Sequence, residues 1–173
     1  MNTILELLKY IIPSLIVFAT TWLLIWYFFR VYDKQRRVEL ALKGHEITLP
    51  LRLQAYERIT LFLERISVDS LLTRVNQPGM NSRQLHNELL SSIRSEFEHN
   101  LSQQVYMSNR AWEMVKNARA QMIKIINASA EKTDPGTPAL ELSKNIIDRI
   151  SDFDKTPTQA AIEFLKKEVQ EIL

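Results

Sequence analysis

From Tyr10 to Phe29 the chain carries no charged side chain: YIIPSLIVFATTWLLIWYFF. At about 1.5 Å per residue in a helix, that run matches the roughly 30 Å hydrocarbon core of a bilayer. It predicts a transmembrane helix over 10–29, with a short segment 1–9 ahead of it. A cleaved signal peptide would place its basic cluster first and end on small residues. Here the run ends in WYFFR and the basic cluster follows. Phe18, Trp22, Trp26 and Phe29 recur at helical spacing and share one face, a candidate packing surface for another membrane helix. Trp22 lies near mid-span, where lipid offers its indole N–H no acceptor. Pro13 is one turn inside, where a mild kink is tolerated.

Beyond the span the pattern turns amphipathic and helical. Residues 30–47 read as a basic juxtamembrane helix or linker, with Gly44 as its stop and Thr48–Pro50 as the next start. In the following stretch Glu57-Arg58-Ile59 returns as Glu64-Arg65-Ile66, one heptad later. Leu49, Tyr56 and Leu63 share one seam position, Ile59 and Ile66 the next, and Phe62 widens the stripe. This face, Leu49, Tyr56, Ile59, Phe62, Leu63 and Ile66, packs into a core or onto a partner. Asp69 is placed to cap a short helix over 70–75.

Leu85, Leu89, Ile93, Phe97, Leu101 and Val105 are spaced by four throughout. On a straight helix that stripe drifts about 40° per step. One long helix from Asn81 is expected, bent or broken near Asn100 or Ser108, with a continuation or new start at Asn109. Trp112, Val115, Ala118, Met122 and Ile126 then form a regular stripe. EKTDPGTP, 131–138, reads as a loop, followed by helices over 140–153 and 157–172, the last capped by Thr156. The fold class expected is all-α: one transmembrane helix, then a helical bundle of four to five helices over 48–173.

Charge sets an orientation. Arg30, Lys34, Arg36, Arg37 and Lys43 face only Asp33 and Glu39 in the juxtamembrane stretch, a local excess of +3 in a chain of net charge +2. The positive-inside rule then puts the N-terminus outside and the C-terminal domain in the cytoplasm, with Arg30, Lys34, Arg36 and Arg37 meeting lipid headgroups. The balanced charge elsewhere gives no basic surface for nucleic acid. Cysteine is absent, which excludes disulfides, thiolate metal sites and cysteine catalysis.

Candidate chemistry is sparse. Glu96 and His99 form a Glu-x-x-His unit, the i,i+3 element of carboxylate-bridged dimetal sites. Such a centre needs a second unit and two further glutamates, and neither His45 nor His86 follows a glutamate by three. Arg52, Arg58 and Arg65 have the chemistry to clamp phosphate, but Glu57 and Glu64 stand beside them and favour ion pairs on a solvated face. No cofactor motif is present.

The blocks LPLRLQAYERITLFLERI and SEFEHNLSQQVYMSNRAWEMVKNA resemble a family of small single-pass membrane proteins of Bacteroidota-type Gram-negative bacteria, known as a domain of unknown function. The likeness covers most of the chain, the anchor included, and weakens after Asp134. It implies a bacterial inner-membrane location and supplies no activity. Together the residues and the resemblance lead to a noncatalytic, membrane-anchored scaffold or accessory subunit that meets the bilayer and a protein partner or its own copies. A membrane-tethered ligand sensor and a carboxylate/histidine metal enzyme are the alternatives.

Overall fold

The computed structural model describes the backbone of residues 2–173 and the side chains of residues 14–32 and 46–173. Pro13, Lys34, Arg36, Arg37 and Lys43 fall outside the described side chains. The described residues form six α-helices: α1 Asn2–Arg65, α2 Val68–Val75, α3 Ser82–Asn100, α4 Asn109–Ala130, α5 Ala139–Ser151 and α6 Pro157–Ile172. A 3-10 segment, Leu101–Tyr106, joins α3 to α4. No strand occurs among the described residues, only an isolated bridge between Asn81 and Pro138. The chain divides into two compact units, Met1–Leu49 and Pro50–Leu173.

Helix α1 does not stop at Gly44 or restart at Thr48–Pro50; helical backbone runs through all three. A glycine inside a helix costs only about 1 kcal/mol relative to alanine. Pro50 forfeits one backbone hydrogen bond, and the boundary between the two units falls at this residue.

Within the second unit, Tyr56, Ile59, Phe62, Leu63 and Ile66 of α1 are buried in the core. Helix α2 buries Val68 and Leu71. Its N-cap is Ser67, so Asp69 lies inside the first turn, where its charge suits the helix dipole, rather than at the cap. Gly79, at φ +85°, makes the turn into α3, a conformation that costs glycine nothing. Asn81 and Gln84 then form a reciprocal capping box.

The spacing of four has a visible outcome. Leu85, Leu89, Ile93 and Phe97 are buried, but Leu101 and Val105 are 42% and 76% exposed. After four members the drifting stripe has left the core, and a single long helix would gain nothing by continuing. The helix ends instead at Asn100, whose Nδ2 donates to the Glu96 carbonyl at 2.9 Å. A new helix begins after Ser108, whose Oγ accepts from the Ala111 amide at 3.0 Å. In α4, Trp112, Val115, Ala118, Met122 and Ile126 are all buried, and the helix packs against α3, α5 and α6.

The 131–138 segment is a loop that folds onto the start of α3. The Ser82 amide donates to the Thr137 carbonyl at 2.8 Å, Arg83 to Pro135 at 3.2 Å, and Ala139 to Met80 at 3.0 Å. Thr156 and Gln159 form the second capping box, with Pro157 at the first helical position of α6. Lys155 donates to Glu163 at 2.7 Å and holds its carboxyl below the ordinary carboxylate range. Because that value is depressed on folding, the small contribution of the pair is present above the ordinary carboxylate pKa and fades as pH falls through the lowered one.

Replacing Leu89 by alanine removes a fully buried side chain from α3 and lowers stability by about 2–5 kcal/mol, whereas Val105→Ala on the 3-10 segment changes it by no more than about 0.5 kcal/mol. Urea unfolding of the full chain in detergent, followed by circular dichroism, reads both.

Candidate functional site

The first candidate surface is the apolar stretch of α1. Ser14–Tyr32 has a mean hydropathy of 1.6 and is long and apolar enough to cross a membrane. Every side chain in it is exposed. Phe18 stacks on Trp22 with ring centroids 6.5 Å apart, the Arg30 guanidinium lies 5.0 Å from the Trp26 ring centroid, and Phe28 stacks on Tyr32. Phe29 is 62% exposed. The indole N–H of Trp22 finds no hydrogen-bond partner among the described residues, although the residue stands near the middle of the stretch.

The second is the Glu96 environment. Glu96 Oε1 is held by Arg65 Nη2 at 2.7 Å and by Arg74 Nη1 at 3.2 Å. Arg74 Nη2 also donates to Ser92 Oγ at 3.0 Å. Two guanidiniums on one carboxylate oxygen tie the end of α1 and the whole of α2 to α3. A carboxylate so engaged makes a poor metal ligand, and His99 is exposed nearby. Among the described residues no group of three His, Asp or Glu is arranged to hold a metal. Arg65 pairs with Glu96 across space, and neither Glu57 nor Glu64 of its own helix forms an ion pair with it. Arg58 is exposed and Arg52 half-buried, so the three arginines do not assemble a phosphate clamp. The apolar face of α1 lies within its own core, except Leu49, which is half-buried at the end of the first unit.

The third surface was not foreseen from the sequence. A cleft of about 380 Å³ opens between the start of α3, the end of α4 and the loop after it, lined by Ser82, Arg83, His86, Asn127, Glu131 and Leu142 among others. His86 Nε2 and Asn127 Oδ1 are 2.8 Å apart. With an amide oxygen as acceptor, Nε2 is the donor, which leaves Nδ1 of the neutral ring as an acceptor. Ser82 and Leu142 are buried and form the floor, while Arg83 and Glu131 are exposed on the rim. These residues come from segments some forty to sixty positions apart, so no local spacing could announce them.

The fold and these surfaces define an all-helical protein with one N-terminal helix long and apolar enough to cross a membrane. The chain belongs to the family of unknown function DUF7935, whose family model matches residues 2–172. No curated protein and no solved structure matches it.

Glu96→Gln leaves Arg65 and Arg74 facing each other without a counter-charge. The substitution costs about 1 kcal/mol at low salt and less at high salt, because the pairs are partly exposed and screened. Urea midpoints of the full chain at two salt concentrations measure the difference.

Proposed function

We propose that this protein is a noncatalytic, membrane-anchored scaffold or accessory subunit of a bacterial inner-membrane complex. The observation that carries the reading is the uncovered stretch Ser14–Tyr32, in which every side chain is exposed. Each of its large apolar side chains would lose about 1.5–3 kcal/mol in water relative to burial, so a bilayer is its natural surrounding. The helix crosses the membrane once. Arg30 and the basic residues after it mark the cytoplasmic side, which places the N-terminus outside. Residues 50–173 form the cytoplasmic helical bundle that holds the partner.

Trp22 supplies the reason for a partner inside the membrane. An indole N–H in hydrocarbon is satisfied by a polar group on a neighbouring helix. Phe18 stacks on it, and Trp26 and Phe29 continue the same face. The noncatalytic part of the reading is supported by the engagement of Glu96 Oε1 with two arginines, which compete with a metal ion for the carboxylate of the Glu-x-x-His unit.

The full-length protein, extracted from native membranes in mild detergent, is expected to migrate with stoichiometric foreign subunits. The triple change Phe18→Leu, Trp22→Leu, Trp26→Leu keeps the span apolar and should release them while the chain stays in the membrane fraction. A partner retained unchanged by the triple variant would refute docking through this face, and a particle containing this chain alone would refute the accessory role.

A further inference from the structure

The cleft at the start of α3 has a chemistry that neither the anchor nor the core requires. Arg83 and Glu131 stand on its rim with opposite charges, yet no ion pair joins them, and neither side chain pairs with any other described residue. Their placement relative to the two helices is also ordered. Arg83 is in the first turn of α3, where the helix dipole favours a negative group. Glu131 is the C-cap of α4, where the dipole favours a positive one. Side chain and helix end therefore have the same preference at each side of the cleft. A single cation or a single anion would satisfy one side and leave the other charge facing it unpaired.

The backbone narrows the ligand further. The Ser82 and Arg83 amides donate to the Thr137 and Pro135 carbonyls, Gln84 to the Asn81 side chain at 2.9 Å, and Leu85 to the Asn81 carbonyl at 3.0 Å. All of the first amides of α3 are taken, so there is no nest of free N–H groups of the kind that cradles phosphate. The anion is left to a guanidinium fork, which fits a planar carboxylate. The Asn127 amide is anchored to His86 through its oxygen, and Ala130 and Pro135 add an apolar wall above the buried Leu142. A volume of about 380 Å³ lies at the small end of ligand sites.

From these features we infer that the cleft binds a small zwitterion, a free α-amino acid or dipeptide with an apolar side chain. Its carboxylate lies on Arg83, its ammonium on Glu131, and its side chain against Ala130 and Pro135. The inference does not rest on the scaffold reading, since the cleft belongs to residues 82–142 and involves no part of the span.

Calorimetric titration of the full-length protein in detergent micelles tests it. The probes are leucine and glycyl-leucine, with isovalerate as the anion alone and isopentylamine as the cation alone. One of the two zwitterions should bind with a dissociation constant on the order of 1 mM or tighter, and both single-charge probes at least about tenfold more weakly. Arg83→Gln and Glu131→Gln each should weaken the zwitterion about tenfold or more, while their unfolding temperatures match that of the unaltered chain, both residues being exposed. Failure of both zwitterions to bind at millimolar concentration overturns the inference. So does equal binding of either single-charge probe, or unchanged affinity in the two variants.

Discussion

Phe97 is the side chain on which three helices are set against one another. Its ring lies 5.8 Å from Phe62 of α1 and 5.5 Å from Trp112 of α4, and the Arg119 guanidinium sits 4.1 Å from its centroid. Each such ring pair adds about 0.5–1.5 kcal/mol beyond area burial, and the cation over the ring adds to it. The contact also offsets a cost, since Arg119 Nε is buried without a hydrogen-bond partner. Fixing Phe97 fixes the rotation of α3. Glu96, one residue before it, is then turned toward Arg65 and Arg74, and the short helix α2 is held by that carboxylate as well as by Val68 and Leu71.

The same rotation sets the other end of α3. With Leu85 and Leu89 in the core, His86 comes to lie against Asn127 of α4, and Arg83 one turn earlier reaches the rim of the cleft. The 131–138 loop completes the site because it cannot leave its carbonyls bare. Thr137 and Pro135 accept the first amides of α3, while the Asn145 amide and the Ser129 carbonyl occupy Thr133 Oγ1. The loop is thus held by the helix it covers, and the cleft is what remains between the two.

Much of this organisation was legible in the chain. The stripes 85/89/93/97 and 112/115/118/122/126 named core residues because a core-facing helix repeats with a period of 3.6. Thr156–Pro157 named the start of α6 because capping is a local affair of a few residues. The same locality explains the misreadings. Gly44 and Pro50 are breakers by propensity, and propensity is a weak prior when both neighbours are helical. Arg65 faced two glutamates in sequence and chose a third from another helix, because pairing is decided by tertiary packing. Asp69 looked like a cap because its carboxylate suits one, but Ser67 already occupied the position. The cleft could not be read at all, since its charges meet only after α3 and α4 pack side by side.

The two kinds of surface on this chain make different demands. In the stretch Ser14–Tyr32 the apolar side chains are contiguous and wholly uncovered, and their free energy is settled by whatever surrounds them. In the unit Pro50–Leu173 the exposed apolar residues on the α-helices, such as Leu61 and Ile147, are outliers on otherwise polar faces, as on most soluble surfaces. The second unit therefore has little reason to bind through bulk hydrophobicity. Recognition there falls to charged and polar groups, many of them exposed. The Glu96 cluster is satisfied internally, and Lys155 and Glu163 satisfy each other. Arg83 and Glu131 share one opening and remain unpaired. These two exposed groups of opposite charge on one opening are the feature on which the proposed zwitterion site rests, whereas Glu96, held by two arginines, joins α2 to α3.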